Sequence, residues 1–152
     1  MRSFISFVLM LVFLNVGYFN IAYSQTDKVY DSGSVWSISF IRANVNSVDD
    51  YLKGLKNTWV ASYKEALNEG LIKSYKILLG SASNMDDFNI ILMVEFENMA
   101  ALDPDPIRDA KWDKIDNDIK DKMKDEYNKT IENYENIRQF VGDKYMREIV
   151  LK

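Results

Sequence analysis

Cysteine and histidine, which supply many nucleophiles, proton shuttles and metal ligands, are both absent from the 152-residue sequence. Without them the chain forms no thiolate or imidazole metal site, no Ser-His-Asp triad and no histidine-ligated haem. Any catalysis must therefore use carboxylates, Tyr, Lys, Arg, amides or a bound cofactor. The sequence singles out no catalytic residue, and we expect no metal and no cofactor.

Two charged residues are candidates for chemistry. Arg42 follows the first predicted strand and could hold a carboxylate or a phenolate, although such an arginine often pairs with a surface acid instead. Glu95 lies in an otherwise apolar segment. If Glu95 faces the interior, burial raises its pKa and makes it a candidate base. If it faces outward, or pairs with Lys76 or Arg147, its role is structural.

Four segments have the composition of β-strands, at residues 35–41, 71–79, 88–96 and 145–151. In the first, large apolar side chains alternate with serines, the period of two expected when the two faces of a strand meet different surroundings. Residues 80–87 are predicted to join the second and third strands as a loop.

Two further segments have helical periodicity. The first begins at Ser47, a predicted N-cap with Asp50 three residues later, and ends before Gly70. Its apolar stripe consists of Val48, Leu52, Leu55, Trp59, Tyr63 and Leu67. The second runs from about residue 107 to about residue 139, with any break expected near Asn128.

The element order is therefore β-α-β-β-α-β. It predicts the α+β class: a ferredoxin-like sandwich in which a four-stranded antiparallel sheet carries two helices on one face. The third strand is apolar at both parities, with Ile90 and Leu92 on one side and Ile91 and Met93 on the other. We therefore expect the second face to be buried by another copy of the chain, as in a dimeric α/β barrel.

The N-terminus is predicted to be a secretory signal peptide, residues 1–24. Arg2 supplies the positive charge, residues 4–14 form an apolar core, and Ala22 and Ser24 occupy the positions before the cleavage site. Cleavage would place the protein in the periplasm or outside the cell. The alternative is a retained membrane anchor.

Residues 25–33 are predicted to be a linker and residues 34–152 the folded domain. The chain is mildly acidic, with 19 basic and 23 acidic residues. This balance argues against nucleic acid as a partner, and against a membrane once the signal is removed.

Residues 69–78, 92–103 and 146–152 resemble an uncharacterised family of small exported bacterial proteins. The resemblance extends from about residue 34 to the C-terminus and is weakest over residues 104–135. That family in turn resembles the dimeric α/β-barrel (ferredoxin-like) superfamily, which includes cofactor-independent monooxygenases, haem-degrading and haem-binding enzymes, lactone isomerases and stress-responsive domains. The resemblance implies a fold, a homodimer and a ligand cavity between the sheet and the helices.

Seven side chains are predicted to approach that cavity: Trp36, Phe40, Arg42, Trp59, Tyr63, Tyr75 and Trp112. Aromatic walls with polar tips suit a flat organic ligand, whereas the alternative is that these residues only fill the core. The first functional hypothesis is therefore binding of a small apolar or aromatic molecule. One alternative is a cofactor-independent monooxygenase or isomerase acting on a phenolic or quinone-like substrate. The other is a structural or envelope stress dimer without a ligand.

Overall fold

A computed structural model describes residues 28–152. The predicted signal peptide, residues 1–24, and the start of the predicted linker lie outside the described residues. The four strands are β1 Tyr30–Ala43, β2 Ser74–Leu79, β3 Ile90–Phe96 and β4 Arg138–Leu151. The helices are α1 Val48–Asn57, α2 Trp59–Asn68, α3 Pro106–Met123 and α4 Asp125–Ile137, with short 3-10 turns at Val45–Ser47 and Met99–Leu102.

The strands form one antiparallel sheet in the order β2-β3-β1-β4. The α+β class and the four-stranded antiparallel sheet are as predicted. Burial alternates along β3, where Ile90, Leu92, Val94 and Phe96 are buried and the residues between them are half-buried. The pairing register assigns the residues of the neighbouring strands to the same two faces, because residues directly opposite one another share a face.

All four helices pack against the face that carries Ile90, Leu92, Val94 and Phe96, which we call the helix face. One core cluster joins Leu55 of α1 and Tyr134 of α4 to Leu92. A second joins Ala66 of α2 and Ile115 of α3 to Val94. The opposite side of the sheet, which we call the open face, carries Trp36, Ile38, Phe40, Ile91 and Met93. None of the helices in residues 28–152 combines the length and the hydrophobicity that a bilayer span requires.

The first predicted helix is interrupted. Thr58 separates α1 from α2 with φ −108° and ψ −88°, and its hydroxyl donates to the carbonyl of Gly54 at 2.9 Å. The prediction of one continuous helix was wrong here because a hydroxyl bonded to the preceding turn competes with regular helix geometry. Ser47 does occupy the N-cap position, but its side chain makes no capping hydrogen bond.

The second predicted helix is also divided, at Lys124 rather than near Asn128. Lys124 has a positive φ of 53°, a backbone conformation that ends α3 before α4 begins. At its start, α3 has Pro106 in the first turn, and the Asp105 carboxylate accepts hydrogen bonds from the amides of Ile107 and Arg108.

The first and last strands of the chain are both longer than predicted. Strand β1 begins at Tyr30, so residues 30–33, predicted to belong to a linker, are part of the sheet. Strand β4 begins at Arg138, within the predicted helix and ahead of the predicted start at residue 145. The reason is mutual pairing: β1 and β4 pair from one end to the other, which extends both beyond what their local sequences indicate.

Candidate functional site

A cavity of about 290 Å³ opens between the helices and the helix face of the sheet. Every helix contributes to its lining. Its aromatic wall consists of Trp59, Tyr63, Trp112 and Tyr127, and its polar lining includes Thr58, Ser62, Asp116, Tyr134 and Arg138. The cavity lies between the sheet and the helices, where the resemblance implied a ligand site. Its lining includes residues of both core clusters.

Three of the predicted aromatic residues meet at this wall, and a fourth lies behind it. The ring centroids of Trp59 and Tyr63 are 4.4 Å apart, and those of Tyr63 and Trp112 are 5.6 Å apart. Tyr75 of β2 lies behind the wall with its ring edge-on to Trp59 at 5.6 Å. These tilted and edge-to-face contacts are the geometries that aromatic pairs prefer, so the wall is held in place by its own members.

A second group of side chains forms the polar end of the cavity. Arg138 donates a hydrogen bond to the Tyr51 hydroxyl at 2.9 Å, and its guanidinium lies 4.9 Å from the centroid of the Tyr134 ring. The Tyr134 hydroxyl is 2.8 Å from Oγ1 of Thr58. Because Thr58 uses its own proton for the carbonyl of Gly54, Tyr134 must be the donor of this bond.

The tyrosines of the site are held in the neutral form. Burial raises the pKa of Tyr51, although the neighbouring Arg138 opposes this shift. Burial likewise raises the pKa of Tyr134 and of Tyr63, and the charge of Asp116 adds to the effect on Tyr63. All three phenols therefore keep their protons at neutral pH, so they offer hydrogen bonds rather than a base.

Trp36 and Phe40 do not line this cavity, so their predicted place there was wrong. Trp36 lies opposite Glu95 and Phe40 lies opposite Ile91, which puts both side chains on the open face. Their surroundings agree with this, because the ammonium of Lys76 lies 5.0 Å from the Trp36 ring and that of Lys144 lies 5.1 Å from the Phe40 ring. The helix face of β1 instead carries the small side chains of Ser37 and Ser39.

Arg42 also lies away from the cavity. Its guanidinium donates to the backbone carbonyls of Asn84 and Asp87, at 2.5 Å and 3.3 Å. A hydrogen bond to the sulfur of Met85 completes its contacts with this loop. Arg42 therefore fastens the connection between β2 and β3, and its predicted position at the cavity between the sheet and the helices was wrong.

Glu95 lies on the open face and is not a candidate base. Its carboxylate accepts hydrogen bonds from Ser74 at 2.6 Å and from Ser34 at 2.7 Å. These two hydroxyls, with the charges of Lys73 and Lys76, hold the pKa of Glu95 below its ordinary value. Of the two readings offered by the sequence, the structural one applies, although the strongest partners are serines rather than basic residues.

Replacing Glu95 by Gln is expected to remove about 1–2 kcal/mol of stability at neutral pH, because the serines then bond to an uncharged amide. The depressed pKa means that this contribution is complete above the ordinary value of 4.5 and is lost as pH falls through the lower value of the folded state. The gap in unfolding free energy between wild type and Glu95→Gln should thus narrow as the pH falls below 4.5. Urea titrations across this range measure it.

Glu97→Gln is the matched control for this experiment, since the side chain of Glu97 is 72% exposed and its ion pair among the described residues is with Lys73. An exposed ion pair contributes little, so this variant should follow the wild type closely. A gap between wild type and Glu95→Gln that stays constant with pH would contradict the assigned role of the carboxylate.

Thr58, Tyr134 and Arg138 are among the lining residues that the sequence did not identify as such. Tyr134 lies within the second predicted helix, but nothing in the sequence marks it as polar lining. One sequence signal was available. Gly54 lies inside a helix, where glycine is unfavourable, and here it allows close approach of the Tyr134 ring.

No protein-family model matches the sequence, and no curated protein matches it. Among solved structures, the chain is similar to the crystal structure of HapK from Hahella chejuensis, with 12% identity and a TM-score of 0.45 over 75% of this chain and 91% of that chain. A likeness this distant carries no inference about ligand or activity. Within residues 28–152, no cluster of three or more Asp or Glu side chains is placed to hold a metal ion.

Proposed function

We propose that this protein is an exported binding domain that holds a small flat aromatic molecule between its sheet and its helices. The observation that carries the proposal is the open cavity of about 290 Å³ with Trp59, Tyr63 and Trp112 along one side. If the aromatic residues only filled the core, their rings would leave no such space. The volume lies at the small end of the range for ligand pockets, which favours a molecule of one or two rings.

We further propose a ferredoxin-like topology and membership of the dimeric α/β-barrel superfamily. The strand order supports this, because β3 lies between the two strands of the first β-α-β unit, and β1 lies between the two strands of the second. The packing of all helices on one face is a second support. Export rests on the pattern of residues 1–24, and the N-terminal sequence of the secreted protein tests it.

The open face supports the proposal that two copies of the chain associate through their sheets. Its apolar centre continues onto the outer strands, where Leu78 is 48% exposed and Met146 is 52% exposed. Charges of both signs lie around the centre. Lys76 and Lys144 lie over the rings of Trp36 and Phe40, and Glu95 and Glu148 share the hydroxyl of Ser34. A two-fold axis allows such a patch to pair with itself. A native mass equal to twice that of the chain is the expected result.

The neutral amide 2-naphthamide, a flat two-ring probe, is expected to bind saturably and to quench tryptophan fluorescence. Trp112→Leu should weaken this binding about tenfold, because one aromatic side of the cavity is lost. Trp36→Leu is the matched control: it replaces a tryptophan of the open face and should change the affinity less than about twofold. Titration calorimetry gives each affinity independently of fluorescence.

The outcomes separate the three functions that the sequence left open. Saturable binding without turnover supports the binding domain. Oxygen consumption or isomerisation with a panel of quinols and phenols would instead support the monooxygenase or isomerase. In that case Asp116 is the carboxylate available in the cavity lining. If every flat probe fails to bind and the native mass is that of a dimer, the result would support the structural dimer without a ligand.

A further inference from the structure

Arg138 is a cation in the cavity lining without a carboxylate partner. Among the described residues, no Asp or Glu oxygen lies within 4.0 Å of its guanidinium, whereas several lysines have such partners. The side chain is half-buried between the helices and the end of the sheet. Charge that is partly removed from water is costly unless an opposite charge or several hydrogen bonds compensate it.

The contacts of Arg138 hold its side chain in place but leave some of its N–H donors without an acceptor. Its guanidinium lies over the rings of Tyr134 and Tyr51, with distances of 4.9 Å and 5.4 Å to the ring centroids. The two rings themselves meet edge to face, with centroids 5.1 Å apart. A guanidinium has five N–H donors, and Nη1 donates to the hydroxyl of Tyr51 at 2.9 Å. Donors therefore remain for a group inside the cavity.

The neighbouring hydroxyls make Arg138 the principal donor at this end of the cavity. The proton of Tyr134 is used for Thr58, and the proton of Thr58 is used for the carbonyl of Gly54. The hydroxyl of Tyr134 thus offers only an acceptor. A carboxylate or phenolate oxygen that enters here meets a fixed guanidinium, and charge-assisted hydrogen bonds of this kind are among the strongest in proteins.

The cavity is polarised along its length. Asp116 lies at the end formed by α2 and α3, where Ser62 donates to it at 3.4 Å. Arg138 lies at the end formed by α1, α4 and β4, beside Tyr51 and Tyr134. A ligand with an acidic group at one end of a flat ring system is attracted by one end of the cavity and repelled by the other.

We infer that the ligand is an aromatic anion, a ring system with a carboxylate or phenolate that Arg138 binds while Trp59, Tyr63 and Trp112 hold the rings. This inference rests on the proposed binding function and names its chemical class. Because no carboxylate of the described residues lies within 4.0 Å of the Arg138 guanidinium, the acid of the ligand supplies a direct partner for its charge.

The test compares 2-naphthoate with 2-naphthamide, which have the same rings and differ in charge. Wild type should bind the carboxylate about ten- to a hundredfold more tightly, the range that corresponds to one charge-assisted interaction. Arg138→Gln should lose most of this preference while its affinity for 2-naphthamide stays within about threefold of wild type. Arg42→Gln, which removes an arginine from the loop between β2 and β3, should keep the full preference.

Each failure has a distinct signature. If neither probe binds wild type, the proposed function fails. If both bind with equal affinity, or if Arg138→Gln keeps the preference, the ligand class fails while the binding function stands. Circular dichroism and the melting temperature report whether Arg138→Gln folds. Should it not fold, the preference of wild type and its reduction in Arg138→Lys, which keeps the charge but loses the planar fork, decide the question.

Discussion

Replacing Tyr134 by alanine is expected to lower the free energy of unfolding by about 3–5 kcal/mol, the range for truncating a large buried aromatic side chain. Tyr134 is only 5% exposed and belongs to the core cluster with Leu55 and Leu92. Its loss leaves a void beside Tyr51, removes the ring beneath Arg138 and deprives the buried hydroxyl of Thr58 of a partner. Chemical denaturation at one fixed protein concentration measures the change.

A substitution at Gly54 tests the packing of Tyr134 more specifically. A Cβ atom built on Gly54 would lie 2.7 Å from both Cε1 and the hydroxyl oxygen of Tyr134, a contact that forces one of the two to move. Overpacking of this kind costs about 1–3 kcal/mol, whereas alanine in place of glycine stabilises a helix by about 1 kcal/mol. Gly54→Ala should therefore destabilise the wild-type protein by up to about 2 kcal/mol.

The sign of this effect should reverse when Tyr134 is absent. In Tyr134→Ala the clash is gone, so Gly54→Ala retains the gain in helix propensity, reduced by a tighter contact with Thr130 Cγ2 at 3.1 Å. A double-mutant cycle measures the coupling between the two positions. Gly80→Ala is the control, because no atom lies within 4 Å of its added Cβ. Additive effects at positions 54 and 134 would contradict the close packing that shapes the cavity.

The sequence showed that side chains alternate along each strand, but it did not show which of the two sets faces the helices. In β1 the large residues Trp36 and Phe40 lie on the open face, while Ser37 and Ser39 lie under the helices. Large apolar residues suggest the covered side of a sheet, and here that expectation is inverted, because the aromatic residues of β1 face away from the helices. Only the register against β3, whose odd and even positions differ in burial, decides between the faces.

Helical periodicity located Trp59, Tyr63 and Trp112 on the correct elements, and these three do line one wall. Helical periodicity could not predict the residues at the polar end of the cavity. Arg138 belongs by local sequence to the end of a helix, and its place at the start of β4 depends on pairing with Ala43, a residue almost a hundred positions away. Sites that depend on such distant pairing are set by tertiary structure, which local propensity does not encode.

Introducing a charge at the centre of the open face is expected to have the largest effect on assembly. Ile91 lies between Phe40 and Leu78, so a glutamate at this position has apolar residues directly opposite on both sides. Burying its charge between two sheets would cost several kcal/mol, which corresponds to a dissociation constant at least about a hundredfold higher. Ile91→Glu should therefore show the mass of a single chain at micromolar concentration, where wild type shows two.

Ile107→Glu is the matched control, because Ile107 is 78% exposed on α3, on the helix side of the molecule, and its replacement should leave the dimer intact. A single-chain mass for wild type, or a dimeric mass for Ile91→Glu, would contradict association through the open face. The same variant separates assembly from ligand binding. The described side chains that line the cavity lie on the helix side, away from the open face, so monomeric Ile91→Glu should still bind 2-naphthoate with an affinity close to that of wild type. If binding is lost together with the dimer while the variant remains folded, the partner copy must contribute to holding the cavity in its open form.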